Sequence, residues 1–217
     1  METKQILCFG DSNTWGFCPQ STSVACCRYP FSQRWTGVLQ GMLGDGYRIA
    51  EEGLNGRTTV FEDPLFPDRR GMDAIDMLVR THSPLDLVLI MLGTNDMKDH
   101  LGTTNHAVAR GVRALCEHAL SVGAESGKKP RVLAVSPIAI GENVEETWLG
   151  GEFSSRSVER SLTISGEIQE QVGQIGVSFF DAKTVARPSP ADCVHLDAQG
   201  HAQLAAALAA QVRALIG

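Results

Sequence analysis

A serine stands where a short apolar run ends, in the segment Gly10-Asp11-Ser12-Asn13-Thr14. In open α/β sheets ligands bind at the carboxyl ends of the strands, so a serine in this place would meet a ligand. Its hydroxyl can attack a carbonyl carbon if a base removes the proton and nearby N–H groups stabilise the oxyanion. Taken alone, the segment fits at least as well a tight turn in which Asp11 and Ser12 cap the next helix.

A base for this serine is available near the other end of the chain, in Asp192-Cys193-Val194-His195. A carboxylate three residues before a histidine, in one turn, can hold the Nδ1 proton and leave Nε2 facing a serine. We therefore predict that Asp192 orients His195 and that His195 acts as the base. The alternative is a surface histidine beside a carboxylate, Asp192 or Asp197, that caps the helix predicted to begin near residue 198.

Two further loops follow predicted strands and supply hydrogen-bond donors, Gly53-Leu54-Asn55-Gly56-Arg57-Thr58 and Gly93-Thr94-Asn95-Asp96. The first offers the backbone N–H of Gly56, where the absence of a side chain permits close approach, and the second offers the side-chain amide of Asn95. Together with the N–H of Ser12, these groups predict an oxyanion hole with three donors. Either loop alone is also an ordinary glycine turn, so the joint occurrence carries the prediction.

The elements that must position these residues alternate along the chain. Short runs rich in Val, Ile and Leu predict five strands, at residues 6–10, 47–51, 87–92, 132–136 and 177–180. Apolar residues at helical spacing predict helices at residues 34–43, 107–122, 158–175 and 198–216. This alternation predicts one domain over residues 1–217, a three-layer α/β/α fold with a five-stranded parallel sheet. In the flavodoxin-like order 2-1-3-4-5, Ser12 and Asn95 would face each other across the crevice at the switch point.

The overall composition favours a protein without nucleic-acid partners. The formal charge is −6 and the pI is near 5.5, which leaves no basic face of the kind that nucleic acid requires. No secretory signal pattern and no long apolar run occur, so we expect a cytoplasmic protein that does not bind membranes. The cysteines show no CxxC spacing and are expected to be reduced thiols, at positions 8, 18, 26, 27, 116 and 193.

Taken in order, the four segments resemble the four sequence blocks of the SGNH hydrolase superfamily. The blocks are GDS with Ser12, the glycine loop with Gly56, GTND with Asn95, and DxxH with Asp192 and His195. One departure is that Asn13 follows the serine where the family name, GDSL, expects leucine, which leaves the nucleophile intact and concerns local packing. Longer stretches resemble the arylesterase and acyltransferase-like branch, namely Cys8-Phe9-Gly10-Asp11-Ser12, Thr14-Trp15-Gly16, Arg34-Trp35-Thr36-Gly37-Val38-Leu39, Glu51-Glu52-Gly53-Leu54 and residues 85–96.

The resemblance implies the SGNH hydrolase fold and a serine esterase that cleaves short-chain or aryl carboxylic esters. Its triad would be Ser12, His195 and Asp192, its oxyanion hole Ser12, Gly56 and Asn95, and it would need no cofactor or metal. The acyl acceptor would be water or an alcohol. The resemblance also implies a homo-oligomer whose subunits narrow the entrance to each site.

Five residues are predicted to contact the small ester substrate: Trp15, Lys98, Trp148, Phe153 and Val194. Trp15 fits a wall beside the acyl or leaving group and equally ordinary core packing. Lys98 follows the donor loop. It fits a side chain that lines the entrance of the site, and it also fits a surface lysine exposed to solvent. Trp148 and Phe153 lie in a predicted long loop, residues 137–154, and fit a cap over the site or a contact with another subunit.

Three other functions fit parts of the pattern. A metal-dependent phosphoesterase would hold divalent ions with Asp11, Asp96, Asp192 and His195, although the GTND loop lacks the histidine that such sites often place beside the asparagine. A nucleotide-binding module fits a doubly wound sheet, but neither GxGxxG nor GxxxxGK[ST] follows the first strand. Within ester chemistry, the alternative is a carbohydrate O-deacetylase.

Overall fold

A parallel sheet organises the residues that the computed structural model describes, 3–20 and 27–217. Its strands are β1 (Lys4–Gly10), β2 (Tyr47–Gly53), β3 (Leu87–Met91), β4 (Arg131–Ser136) and β5 (Ser178–Asp181). Their order is β2-β1-β3-β4-β5, and each neighbouring pair is parallel. The predicted fold class is therefore confirmed, including the order that places a switch point between β1 and β3.

Helices cover both faces of the sheet. In chain order they are α1 (Ser12–Trp15), α2 (Trp35–Leu43), α3 (Gly71–His82), α4 (Asn105–Ala124), α5 (Ser155–Gly173) and α6 (Ala198–Ile216). Alternate residues of β1 point to opposite faces, so Leu7 and Phe9 pack in the core with α3, α4 and α5, whereas Ile6 and Cys8 pack in the core with α2 and α6. The inner strands β1, β3 and β4 are thus buried on both sides over most of their length, which explains their apolar runs, whereas the edge strands β2 and β5 are half-buried.

Helix α3 is the one long helix that the sequence analysis did not predict. It buries Ile75 and Val79 against the sheet, and Met72 packs against the same core. The helical spacing of these three residues was present in the sequence. Polar residues stand between its apolar ones, and the helix has no side-chain N-cap, so the sequence carries no clear start signal for it.

The register of the sheet aligns the ends of β1, β2 and β3, from which the loops carrying Ser12, Gly56 and Asn95 begin. Gly10 at the end of β1 pairs with Gly53 of β2 and with Met91 of β3. The backbone of α1 passes so close to β2 that a Cβ on Gly53 would lie 2.1 Å from the Trp15 amide nitrogen. Only glycine permits this approach. The segments carrying Ser12, Gly56 and Asn95 therefore leave the sheet side by side.

The predicted long loop at residues 137–154 is irregular except for one 3-10 turn, Val144–Glu146. It contributes Val144, Leu149 and Phe153 to the core, so it is packed rather than loosely attached. Among the described residues, none of the helices combines the length and the apolar content needed to cross a bilayer.

The cysteines of the described residues lie in two environments. Cys8, Cys116 and Cys193 are buried, and burial raises the pKa of the Cys116 thiol to about 12. The Sγ atoms of Cys18 and Cys27 lie 2.8 Å apart, beside a one-residue bridge between Phe17 and Arg28. Cys26 lies outside the described residues.

Candidate active site

Ser12 is the first residue of α1, a single helical turn at the carboxyl end of β1. Asp11 is its N-cap, since its carboxylate accepts the Asn13 N–H at 2.9 Å, and Gly16 ends the turn with a φ of 88°. The capping interpretation of this segment is therefore correct as local structure. A capping role for Asp11 is compatible with a nucleophilic role for Ser12, because the capped turn presents Ser12 at the edge of the sheet.

Ser12, His195 and Asp192 form a continuous hydrogen-bonded chain. The Oγ atom of Ser12 lies 2.9 Å from His195 Nε2, and His195 Nδ1 lies 2.6 Å from Asp192 Oδ2. Asp192 is fully buried, and its other oxygen accepts the N–H groups of Val194 and His195 at 3.0 and 2.9 Å. The carboxylate therefore holds the Nδ1 proton, which leaves Nε2 as the acceptor for the serine hydroxyl.

The turn that carries the histidine is fixed by its own backbone. Cys193 adopts a φ of 62°, a left-handed conformation that lets the chain fold back within three residues. Its N–H donates to Ser189 O at 2.8 Å, and its carbonyl accepts the Gly141 N–H at 2.7 Å. Cys193 itself is buried, as a packed thiol would be.

Asn13, the residue that stands in place of the family's leucine, joins the two turns. Its amide donates to Val194 O at 3.3 Å, and its Oδ1 accepts the Leu196 N–H at 2.8 Å. The side chain is buried, with 4% exposed, so these bonds are shielded from water. Asn13 thus ties the serine turn to the histidine turn, a role that the sequence analysis did not assign to it.

Three donors lie beside the serine. Ser12, Gly56 and Asn95 line one cavity, and the Asn95 amide uses one hydrogen on Arg57 O at 3.1 Å, which leaves its second hydrogen available. Within residues 3–20 and 27–217, the backbone N–H groups of Ser12 and Gly56 have no acceptor. Unpaired N–H groups beside a nucleophile suit a developing oxyanion.

Arg57 locks the strand ends that carry these donors. Its Nη1 donates to Gly10 O at 2.8 Å and to Glu52 O at 2.5 Å, and its guanidinium lies 4.3 Å from the centroid of the Phe9 ring. Burial lowers the pKa of Arg57 to about 10, although nearby carboxylates oppose the shift. The side chain therefore fixes the ends of β1 and β2 relative to each other.

Two buried aspartates next to the serine serve the backbone. Asp96 accepts the Thr59 N–H at 2.9 Å and the Thr59 hydroxyl at 2.5 Å, and burial raises the pKa of its carboxyl to about 6. Burial likewise raises the pKa of Asp11 to about 6. Within the described residues, no group of three or more His, Cys, Asp or Glu side chains is arranged to hold a metal ion. The four ligands of the phosphoesterase alternative are thus engaged with other partners.

A cavity of about 380 Å³ opens above the serine. Four of the five predicted substrate residues line it: Lys98, Trp148, Phe153 and Val194. Trp15 is not among the lining residues of this cavity, so its contact with substrate stays a prediction. Its ring instead lies under the Arg28 guanidinium, 4.8 Å from the centroid.

Phe17 occupies the place that the sequence analysis gave to Trp15. The left-handed Gly16 reverses the chain after α1, and the Phe17 ring then lies 4.4 Å from the His195 ring and 6.1 Å from the Trp148 ring. The aromatic sequence predicted a ring near the site but not which of two neighbouring rings would face it. Other lining residues that the sequence analysis did not identify are Asn55, Phe66, Arg69, Leu149 and Glu152.

Lys98 is buried and paired, so the interpretation as a solvated charge is wrong. Its Nζ lies 3.1 Å from Asp63 Oδ2 and 2.7 Å from Glu152 Oε2. It also lies 3.7 Å from the centroid of the Phe66 ring. Although burial raises the pKa of the Asp63 carboxyl, hydrogen bonds from His100, a backbone N–H and Lys98 outweigh it, and the pKa lies below its ordinary value.

The sheet order and the serine at the end of β1 place the protein in the SGNH hydrolase class, which has a flavodoxin-like α/β fold. The chain belongs to the GDSL-like lipase/acylhydrolase family, whose model matches residues 8–203. It is therefore an esterase or acylhydrolase of that family. A comparison with curated proteins finds no significant match.

Solved structures agree over nearly the whole chain. Est24, a carbohydrate acetylesterase from Sinorhizobium meliloti, is 37% identical with a TM-score of 0.91, covering 98% of this chain and all of its own. The native aryl esterase of M. smegmatis is 36% identical with a TM-score of 0.93 and the same coverages. A second carbohydrate acetylesterase family member from S. meliloti is 33% identical with a TM-score of 0.89, covering 99% of this chain and all of its own.

Proposed function

We propose that the protein hydrolyses short-chain or aryl carboxylic esters through an acyl-enzyme on Ser12. The observation that carries this proposal is the hydrogen-bonded chain from Ser12 Oγ through His195 to Asp192, with distances of 2.9 and 2.6 Å. A serine is a weak nucleophile unless a base is already in contact with its hydroxyl. Here that contact exists before any substrate arrives.

In the first half of the reaction, Ser12 Oγ attacks the carbonyl carbon while His195 Nε2 takes the hydroxyl proton. The carbonyl oxygen becomes an oxyanion and accepts hydrogen bonds from the N–H groups of Ser12 and Gly56 and from the Asn95 amide. The Asp192 carboxylate stabilises the imidazolium that forms. The bond to the leaving alcohol then breaks as His195 returns the proton to that oxygen.

In the second half, the acceptor releases the acyl group. His195 removes a proton from water, the resulting nucleophile attacks the acyl carbon, and the proton returns to Ser12 Oγ as the acid leaves. An alcohol that occupies the place of water yields a new ester by the same steps. The Phe17 and Trp148 rings beside His195 provide an apolar surface on which an alcohol competes with water.

The cavity supports a small acyl or alcohol group. Its volume of about 380 Å³ lies toward the low end of ligand sites, which typically measure roughly 300 to 1,000 Å³. Phe153 and Val194 supply apolar lining, while Lys98 and Glu152 supply charge on another side. A long acyl chain would have to extend past the half-exposed Trp148 into solvent.

The test combines a chain-length series with one variant. Wild type should cleave p-nitrophenyl acetate and butyrate faster than longer esters, and an added alcohol should divert part of the product to the transesterified ester. Ser12→Ala should keep the fold and lose about three to six orders of magnitude in kcat. Undiminished hydrolysis by Ser12→Ala would sink the assignment, and activity that EDTA abolishes and Mn²⁺ restores would favour the metal-dependent alternative.

A second candidate, removal of acetyl groups from carbohydrates, is favoured by the polar side of the cavity. Asn55, Arg69, Lys98 and Glu152 offer donors and acceptors of the kind that sugar hydroxyls bind. Two of the similar structures are from carbohydrate acetylesterases or their family members. Acetate release from acetylated xylose and glucose, compared at equal concentration with phenyl acetate, distinguishes the two substrates by kcat/KM.

A further inference from the structure

The loop after β2 turns tightly at the residue that offers a predicted oxyanion donor. Arg57 N–H donates to Leu54 O at 3.1 Å, which closes a four-residue turn. Gly56, the third residue, has a φ of 78°, whereas Asn55 keeps a negative φ. This combination is a type II turn, which differs from a type I turn mainly by a flip of the central peptide, here the one joining Asn55 to Gly56.

The orientation of that central peptide decides where the Gly56 N–H points. In a planar trans peptide the carbonyl and the N–H point in opposite directions, so fixing one fixes the other. Glycine accepts either sign of φ at little cost, so its own conformational preference does not hold the peptide in one orientation. The Gly56 N–H also has no acceptor in residues 3–20 and 27–217 that would hold it.

Arg69 holds the peptide from the carbonyl side. Its Nη1 donates to Asn55 O at 3.0 Å. The side chain lies flat against the turn, because a Cβ built on Gly56 would be 2.8 Å from Nη1 and 3.2 Å from Cδ. Glycine at position 56 suits the positive φ of the turn and leaves room for the Arg69 side chain against it.

The arginine is itself well anchored. The Thr58 N–H donates to Arg69 O at 3.3 Å, and Thr58 forms a parallel bridge with Arg70, so the two segments run side by side. The Arg69 guanidinium lies 5.0 Å from the centroid of the Phe66 ring. The backbone of Arg69 is therefore bonded to the same loop that its guanidinium contacts.

We propose that Arg69 is a positioning residue of the oxyanion hole. By holding the Asn55 carbonyl it keeps the Gly56 N–H directed at the carbonyl oxygen of the ester, and its charge polarises the peptide so that this N–H is a stronger donor. The inference rests on the proposed function, because it requires a tetrahedral intermediate on Ser12.

The charge of Arg69 is available for this task. Two cationic side chains line the cavity, and Lys98 is paired with Asp63 and Glu152. Arg69 has no carboxylate partner within residues 3–20 and 27–217. Its hydrogen bond to Asn55 O is therefore its main polar contact there, beside the ring of Phe66.

The first test compares two variants of Arg69 with a neighbouring control. Arg69→Met removes the donor and should lower kcat for p-nitrophenyl acetate about 10- to 100-fold while KM changes less than about threefold. Arg69→Lys keeps a charged donor and should recover part of that loss. In the control, Arg70→Met, kcat should stay within about twofold of wild type, because Arg70 pairs with Asp73 at 2.8 Å on the surface of α3.

A second readout separates positioning from a general structural role. A methyl trifluoromethyl ketone adds to Ser12 and places an oxyanion in the hole, so its Ki should rise in Arg69→Met by about the factor that kcat/KM falls. Unchanged kcat and Ki, or an effect confined to KM, would overturn the inference. So would equal losses in Arg70→Met.

The two levels of the proposal fail in different ways. Ester hydrolysis that survives Ser12→Ala overturns the proposed function and this inference with it. Hydrolysis that depends on Ser12 but is indifferent to Arg69→Met overturns the inference alone. Thermal unfolding of each variant shows that the comparison is made between folded proteins, and Arg69→Lys preserves the test if Arg69→Met does not fold.

Discussion

The floor and the wall of the cavity are built in different ways. The floor is the serine turn together with the histidine turn, in which Ser12, Asn13, Asp192 and His195 bond to one another or to the backbone next to them. Each turn is short and largely determines its own conformation. Contacts between residues far apart in the chain bring the two turns together and, through the Gly141 N–H, brace the histidine turn.

The wall is the charged cluster of Asp63, Lys98 and Glu152, which come from three separate loops. None of the three is held by its sequence neighbours in the way that Asp192 holds His195. Lys98 is 2% exposed and depends on two carboxylates to offset its burial. The serine and histidine turns are thus held mainly by short-range bonds, whereas the shape of the cavity depends on how three loops pack.

The largest expected effect is on the floor. Asp192→Asn keeps the size of the side chain but favours the wrong tautomer of His195, so kcat should fall about 10⁴-fold. Stability should change much less than activity. Stopped assays with p-nitrophenyl acetate and urea unfolding of the same preparation check both. If kcat fell less than about tenfold, Asp192 would not be the orienting carboxylate, and the floor would not be the self-contained unit described above.

The wall should respond in the opposite sense, with stability more than with kcat. Lys98→Met leaves the buried Asp63 carboxylate without its ammonium partner and should cost about 3 kcal/mol at pH 7. Because the folded-state pKa of Asp63 is depressed, its stabilising contribution is present at neutral pH and is lost as the pH falls through that pKa. The cost of Lys98→Met should therefore shrink on acidification.

Urea unfolding at pH 7 and at about pH 3, below the ordinary pKa of a carboxyl group, measures this dependence. The matched control is Lys128→Met, since Lys128 also pairs with an aspartate, at 2.8 Å, but its side chain is 46% exposed. That control should cost less than about 1 kcal/mol. A cost for Lys98→Met that is as small as the control's, or that grows at low pH, contradicts the assignment of Lys98 as the partner of a buried carboxylate.

The smallest effect expected is at Asn13, where the two turns meet. Asn13→Leu restores the residue of the family name but leaves Val194 O and the Leu196 N–H unpaired, which should cost about 2 kcal/mol and lower kcat about tenfold. Wild-type kcat in Asn13→Leu would show that the turns hold their relative position without this side chain.

The sequence predicted the sheet well because its inner strands β1, β3 and β4 are buried on both faces and therefore contain apolar runs. Alternation with helices predicted a parallel sheet, and the flavodoxin-like order assumed for it, β2-β1-β3-β4-β5, is confirmed. Helix α3 was missed, because polar residues stand between its apolar ones and no side-chain N-cap marks its start.

The residues of the two turns and of the donor loops could be predicted from the sequence, whereas the residues whose position depends on loop packing could not. Ser12, Gly56, Asn95 and the Asp192–His195 turn are short motifs at strand ends, so parallel topology alone brings them near one edge; their catalytic roles stay predictions. The choice of Phe17 over Trp15 depended on the left-handed conformation of Gly16, which the sequence does not specify. The pairing of Lys98 with Glu152 required the packing of two loops and had no local signal.

The row formed by Gly10, Gly53 and Met91 also has a consequence for how relatives can diverge. The segments that carry Ser12, Gly56 and Asn95 start from this row, so insertions or deletions farther along a loop leave these starting points unchanged. Natural variation in the segment 148–153, which lines the cavity but does not carry these three residues, can then alter which esters are accepted. Exchanging that loop between relatives is therefore a practical route to new substrate ranges on an unchanged chemical base.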